Sequence, residues 1–435
     1  MKCKALCAFL IFCGLGVLPA KAENRFIVRV NAGPAELSRL CQLLGCKVVG
    51  NLDGTLNQLF LLTTPDDFNP NLFLIILHFV PGIVDAEQDQ VVSLVGGLNQ
   101  LASPPPGLTD TAPVSYFGAT VWNGYATQPA AQIVRVSAAQ STFQVAGATI
   151  IADIDTGVDP NHPALQSVLL PGYDFTRNQP DGSEMTDFTG PAPPANTANV
   201  AQVNQSTAAV LDQSTAAVLD GNVQYAAFGH GTMVMGVIHL VAPKSQLLPL
   251  KAFHSDGAGY LSDILRAIYY GVQNNANVIN MSFDTTTSST ELKKALDYAN
   301  QSGVICVASA GNDGLPAPPN FVYPAALQTD VMGVASTTDL DGRSNFSNYG
   351  NAIVWVAAPG EDIISTYPFG TYAAASGTSF SAPFVSGTCG LLLQLSPGAN
   401  QSQAAMAVAH AVPVGVGMGN GRLDIVQTLQ SLSPD

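Results

Sequence analysis

From Ala148 onward the chain alternates between two hydrophobic patterns. Short, β-branched and nearly continuous apolar runs recur at "ATIIADI", "QLLPLKAF", "NVINMSF", "GVICVASA", "VMGVAS" and "AIVWVAAP". Between two of them, "LSDILRAIYYGVQNNA" places Ile264, Ile268 and Val272 on one helical face behind Ser262, read as its N-cap. Strands apolar on both faces and separated by amphipathic helices predict an α/β fold, a parallel sheet flanked by helices. Such sheets carry their chemistry at the carboxyl ends of the strands.

The pattern before Ala148 differs. Between Asn24 and Leu94, "RFIVRV", "AELSRLCQLLG", "KVVG", "QLFLLTT", "PNLFLIILHF" and "GIVDAEQDQVVSL" read as strand, helix, two strands, helix, strand, with Asp53-Gly54 as a hairpin turn. That order predicts a small ferredoxin-like α+β domain. The following "GGLNQLASPPPGLTDTAP" is rich in Gly and Pro and reads as an exposed, cleavable linker. At the start, Lys2 and Lys4 precede an apolar run from Ala5 to Leu18 and then Ala20-Lys21-Ala22, the pattern of a secretory signal. The expected division is a signal at 1–22, a small domain at 23–95, a linker at 96–118 and a larger domain at 119–435.

Composition narrows the partners. Of 435 residues 47% are hydrophobic, only 11% are charged, and the net charge is −15. No basic cluster offers phosphates a surface, so nucleic acid is excluded as a partner, and no later segment reads as a membrane span. Cys41, Cys46, Cys306 and Cys389 remain once the first 22 residues are set aside. Cys41 and Cys46 could bridge within one segment, and all four could equally be small buried side chains. "QSTAAVLD" stands twice in tandem from Gln205 to Asp220. Two copies of eight residues cannot build a repeat fold, so they read as decoration within an insertion at about 172–227.

Three segments bring chemistry to element ends. "IIADIDTGVD" stops a strand at Asp155, "FGHGTMVMG" opens a helix at His230, and "ASGTSFSAPFVSG" opens another at Ser379. A carboxylate, an imidazole and a hydroxyl are what acyl transfer needs, because the hydroxyl is a weak nucleophile until an oriented base takes its proton. In "VASAGNDG", Asn312 follows a strand and could donate to a developing oxyanion. Asp153, two residues before Asp155, reads as a capped, solvated carboxylate, His162 as a turn residue, and His239 as packed or exposed at the far end of its helix.

With these four residues in the order Asp, His, Asn, Ser, residues 120–430 resemble the subtilisin-like serine proteases, the subtilases. α/β-Hydrolases need G-x-S-x-G and place Ser before its partners, unlike "GTSFS". The resemblance implies a secreted serine endopeptidase, extracellular or periplasmic, acting on protein or peptide substrates through Asp155, His230 and Ser379, with Asn312 in the oxyanion site. It also implies that the N-terminal domain is an inhibitory propeptide and that the precursor processes itself, with the cut expected between about Gly97 and Ala119 because the linker there is rich in Pro and Gly and lies just before the larger domain; the enzyme is expected to be a monomer. A catalytically silent peptide-binding protein is the alternative. Substrate is expected to add as a strand along Gly257, Ala258, Gly259 and Tyr260 and along Ser282, Phe283 and Asp284, with Ala308, Ser309, Ala310 and Gly311 completing the cleft. Asp284 stands where the family usually has Gly, which narrows the cleft or favours a basic group nearby. No metal or other cofactor is expected: the tight calcium site of many subtilisins uses an Asp where this chain has Ala164, and a loop after the histidine helix that is missing. Asp174, Asp181, Glu184 and Asp187 read as a solvated acidic loop, with a weaker calcium site there left open.

Overall fold

The computed structural model describes residues 23–31, 33–94, 105–189, 225–432 and the backbone of 201–204. The expected signal, the first part of the expected linker and the octad repeat lie outside the described residues.

Residues 23–94 form strands β1 (Glu23–Val30), β2 (Lys47–Asn51), β3 (Leu59–Pro65) and β4 (Ile83–Gln88), with helices α1 (Pro34–Leu44) and α2 (Pro70–His78). The strands make one antiparallel sheet in the order β2-β3-β1-β4. Side chains alternate across it. Phe26, Val28, Phe60 and Leu62 face Leu37, Phe73 and Leu77 of the helices, while Ile27, Leu59 and Leu61 face the rest of the chain. Cys41 and Cys46 are disulfide-bonded at the end of α1, whereas Cys306 and Cys389 are buried, separate thiols.

All six apolar runs of the second region are strands of one eight-stranded sheet. Its order is Gln179–Pro180, Tyr173–Asp174, Gln246–Lys251, Ile150–Asp155, Val278–Met281, Ile305–Ser309, Met332–Thr337, Val356–Pro359. Every pairing is parallel except that of the first edge strand. One face packs against the helices His230–Val241 and Thr378–Leu395, and the other against Leu261–Gln273 and Thr290–Gln301. The chain runs from Ile150–Asp155 to its neighbour Gln246–Lys251, then crosses to Val278–Met281 on the opposite side. A crevice opens at the carboxyl ends where strand order reverses in this way.

Three expectations change. The stretch expected as linker at 96–118 is folded from Pro105 on: Leu108 is fully buried in the main core and Pro113–Tyr116 pairs with Ala119–Trp122. Ser262 is not a cap but the second residue of its helix. Asp89 of the N-terminal unit caps instead, accepting from the Ser262 N–H at 2.9 Å and its hydroxyl at 2.8 Å. The acidic residues of the insertion are not a solvated loop. Asp174, Glu184 and Asp187 are buried, Arg177 bridges Asp174 and Asp187, and the buried Lys251 ammonium donates to Asp187 at 2.8 Å. Asp181 alone of the four is exposed.

Candidate active site

Asp155 and His230 are brought together at the crevice. Both are fully buried, and His230 Nδ1 lies 2.7 and 2.8 Å from the two carboxylate oxygens of Asp155. The Asp155 carboxylate also accepts from the Thr156 N–H at 2.7 Å. Close backbone approach makes this possible. A Cβ on Gly231 would stand 2.0 Å from the Gly157 carbonyl, so only glycine lets the histidine helix start against the turn that follows Asp155.

Glu184 ties the same two elements together. Its carboxylate accepts from the Thr156 hydroxyl, the Gly229 N–H and the Thr232 N–H and hydroxyl. It thereby satisfies the start of the histidine helix, whose first N–H groups have no partner within the helix. Burial pushes the Glu184 carboxyl up to about 7, opposed by the Thr232, Thr156 and Gly229 hydrogen bonds and by Lys251. The sequence carries no local sign of this role, since Glu184 is 45 residues from Gly229.

Ser379 is the second residue of the helix Thr378–Leu395. Pro383 four positions on has no N–H to give the Ser379 carbonyl, which accepts from Ser282 Oγ at 2.9 Å instead. In return Ser379 Oγ donates to the Ser282 carbonyl at 3.0 Å. The serine hydroxyl is therefore turned toward Ser282, and His230 Nε2 is buried without a hydrogen-bond partner among the described residues. Asn312 fixes the helix start through Oδ1, which accepts from the Thr378 N–H at 2.8 Å and hydroxyl at 3.0 Å. Its amide nitrogen faces Gly377, 3.6 Å from where a Cβ would stand.

Asp153 is buried, contrary to its reading as a solvated carboxylate. Asn280 donates to its Oδ1 at 2.9 Å, while Oδ2 has no partner among the described residues, and burial beside Asp155 raises its pKa well above the usual range. His162 lies in a turn as read, yet fully buried, bonded to the Thr371 carbonyl at 2.8 Å. His239 is packed: it meets the Tyr125 hydroxyl at 3.1 Å, and burial lowers its pKa to about 3.

The expected cleft strands line the same crevice, with the N-terminal unit between them. Its last strand, β5 (Val91–Ser93), pairs antiparallel with Ala258–Tyr260, the Leu94 N–H donates to the Gly257 carbonyl at 2.9 Å, and Ser93 bridges Asp284. Leu94, Ser282, Asp284, Ser309, Asn312 and Ser379 share one cavity. Ala308 and Ala310 are buried and Gly311 donates to Thr378 Oγ1, so these three support the cleft from behind. Phe283 also turns inward, its ring 5.2 Å from that of Phe253.

A Subtilase family profile matches residues 147–426. The chain belongs to the subtilase family. Thermitase of Thermoactinomyces vulgaris is 34% identical over 59% of this chain and 78% of its own length. Subtilisin DY of Bacillus licheniformis is 38% identical over 40% of this chain and 67% of its own. A solved structure described as a lanthipeptide protease covers 70% of this subtilase, and 95% of its own chain, with a TM-score of 0.55 at 22% identity, a likeness of fold. With its buried Asp155–His230 pair, this subtilase is a serine-type endopeptidase. No helix among the described residues is long and apolar enough to cross a membrane.

Proposed function

We propose that Ser379 is the nucleophile of an exported endopeptidase and that residues 23–94, a ferredoxin-like unit, are its inhibitory propeptide. The observation that carries this reading is β5, which lies along Ala258–Tyr260 and brings Leu94 to the cavity at Ser379. Rotation about its Cα–Cβ bond takes the Ser379 hydroxyl from Ser282 toward His230 Nε2, which receives the proton as Oγ attacks the scissile carbonyl. Asp155 holds the ring with Nδ1–H inward and stabilises the imidazolium. The Asn312 amide and the Ser379 N–H, which as the second of its helix has no partner within that helix, receive the oxyanion. His230 returns the proton to the leaving amine, and water then releases the acyl group by the same steps. A fluorophosphonate probe should label Ser379 in the processed protein; a folded, processed protein that resists labelling would leave only peptide binding.

Two charged clasps support the inhibitory role. Arg29 donates to Glu291 at 2.6 Å, and Asp89 and Glu87 occupy the starts of the helices Leu261–Gln273 and Thr290–Gln301. Burial raises the Glu87 carboxyl to about 7, with the Ser289 and Thr290 bonds opposing and the Glu291 and Asp85 charges adding. Docking buries the carboxyl and raises it above the ordinary 4.5 of a glutamate, so docking takes up a proton. That stabilisation is fully present below the undocked value and is lost as pH rises through about 7. Inhibition of the mature enzyme by separately produced residues 23–94 is therefore expected to weaken about tenfold or more from pH 5 to 8. An inhibition constant that is flat or tightens over that range would remove Glu87 from this role.

We also propose that stability does not rest on the tight calcium site of many subtilisins. Ala164 is fully buried and offers no side-chain oxygen, and the histidine helix ends at Val241 only a turn before the strand from Gln246. Of the acids of the insertion, Asp174, Glu184 and Asp187 are committed to Arg177, Lys251 and the histidine helix. Adding EGTA should leave melting temperature and activity unchanged. A fall reversed by calcium would show a site these residues do not suggest.

A further inference from the structure

The cavity beside Ser379 is small and a carboxylate crosses it. It lies between Ser282 and Asp284 on one side and Ser309 and Asn312 on the other, and Ser93 and Leu94 of the N-terminal unit close it, leaving about 40 Å³. Once that unit has left, Asp284 is the side chain that narrows the space. A Cβ built on Gly311 would stand 2.2 Å from Asp284 Oδ2, so the carboxylate reaches the opposite wall and rests on the Gly311 backbone. Glycine at φ 90° is what leaves it room. The segment carrying Asp284 is anchored, because Ser282 and Ser379 exchange two hydrogen bonds and Phe283 is packed on Phe253.

A substrate strand following the path of β5 bridges Asp284 as Ser93 does. It then delivers the residue on the acyl side of the scissile bond to this cavity. We propose that Asp284 closes the subsite to long side chains, so that the enzyme cleaves after small residues such as alanine and serine. This rests on the role given to Ser379. The Asp284 carboxyl makes no hydrogen bond among the described residues, and burial, with Asp313 nearby, raises it to about 7. A long apolar group must displace it or bury it unpaired, which is costly. A serine hydroxyl instead finds a vacant acceptor.

Matched internally quenched peptides carrying Ala, Ser, Leu, Phe, Lys or Arg at the acyl-side position test this on the mature enzyme, after titration of Ser379 with a fluorophosphonate. Ala and Ser should exceed Leu and Phe in kcat/KM by about tenfold or more. Asp284→Asn, equal in size, should keep that order, and Asp284→Gly should abolish or reverse it. An order unchanged in Asp284→Gly, or a wild-type preference for Leu and Phe or for Lys and Arg, would overturn the size limit. If Ser379 labels and the order is unchanged, only the subsite assignment fails. If Ser379 does not label, the proposed function fails and this inference with it.

Discussion

Ser379→Ala is expected to lower peptide hydrolysis by about 10⁶-fold, the size of loss known for a subtilisin deprived of its serine, and to leave the chain uncut between Leu94 and Pro105. The first effect follows from the site's division of labour. Without Oγ, the buried Asp155–His230 pair has no proton to accept and only the oxyanion donors and the cleft remain. Asn312→Ala should cost less, about 10²–10³ in kcat, again as measured in a subtilisin, because it removes one donor and keeps the nucleophile. The second effect follows from β5. Leu94 already borders Ser379 and the chain is folded again from Pro105, so the cut is expected between them, a narrower window than the Gly97–Ala119 read from composition. Mass spectrometry of Ser379→Ala produced alone should find residues 23 onward intact. Normal processing of that variant would assign the cut to another protease.

The parts of this site that the sequence makes legible are those whose cause is local. Six strands could be recognised because a strand buried on both faces must be apolar throughout, and Asp155, His230 and Ser379 could be picked out because each ends a strand or opens a helix beside glycine. What stays hidden depends on partners far along the chain. Nothing near Ser262 shows that Asp89, 173 residues earlier, caps its helix. Asp153 reads as solvated by residue type, yet the strand that carries Asp155 is covered on both sides, so its side chain has nowhere else to go than the interior beside Asn280. Leu108 sits in a Pro-rich stretch whose composition suggests exposure, while its burial comes from packing that composition does not encode. The same limit applies to the insertion, where the count of acids suggested solvation and the pairing with Arg177 and Lys251 produced a buried network.

Glu184 within that network gives the second large effect expected of a single substitution. Glu184→Ala removes the acceptor for the Thr156 hydroxyl, the Gly229 N–H and the Thr232 N–H and hydroxyl. The hydroxyls can turn elsewhere, but the backbone N–H groups cannot, and each buried donor left unpaired costs about 1–3 kcal/mol. A total of about 3–5 kcal/mol follows, and the melting temperature should fall by about 10 °C at the 2–4 °C per kcal/mol usual for larger domains. Activity should fall as well, because Glu184 joins the turn after Asp155 to the start of the helix that carries His230. A displacement of about 1 Å between groups that must meet in the transition state can cost about 10² in rate. Both effects should be read on the same protein: kcat below the melting transition, per Ser379 labelled, and melting by calorimetry. Glu184→Gln, which keeps one acceptor oxygen but presents an amide donor toward the Gly229 N–H or the Thr hydroxyls, should fall between wild type and Glu184→Ala on both measures. If kcat per labelled serine were unchanged while the melting temperature fell, Glu184 would be a stability element alone. If neither moved, the insertion would have no part in assembling the site.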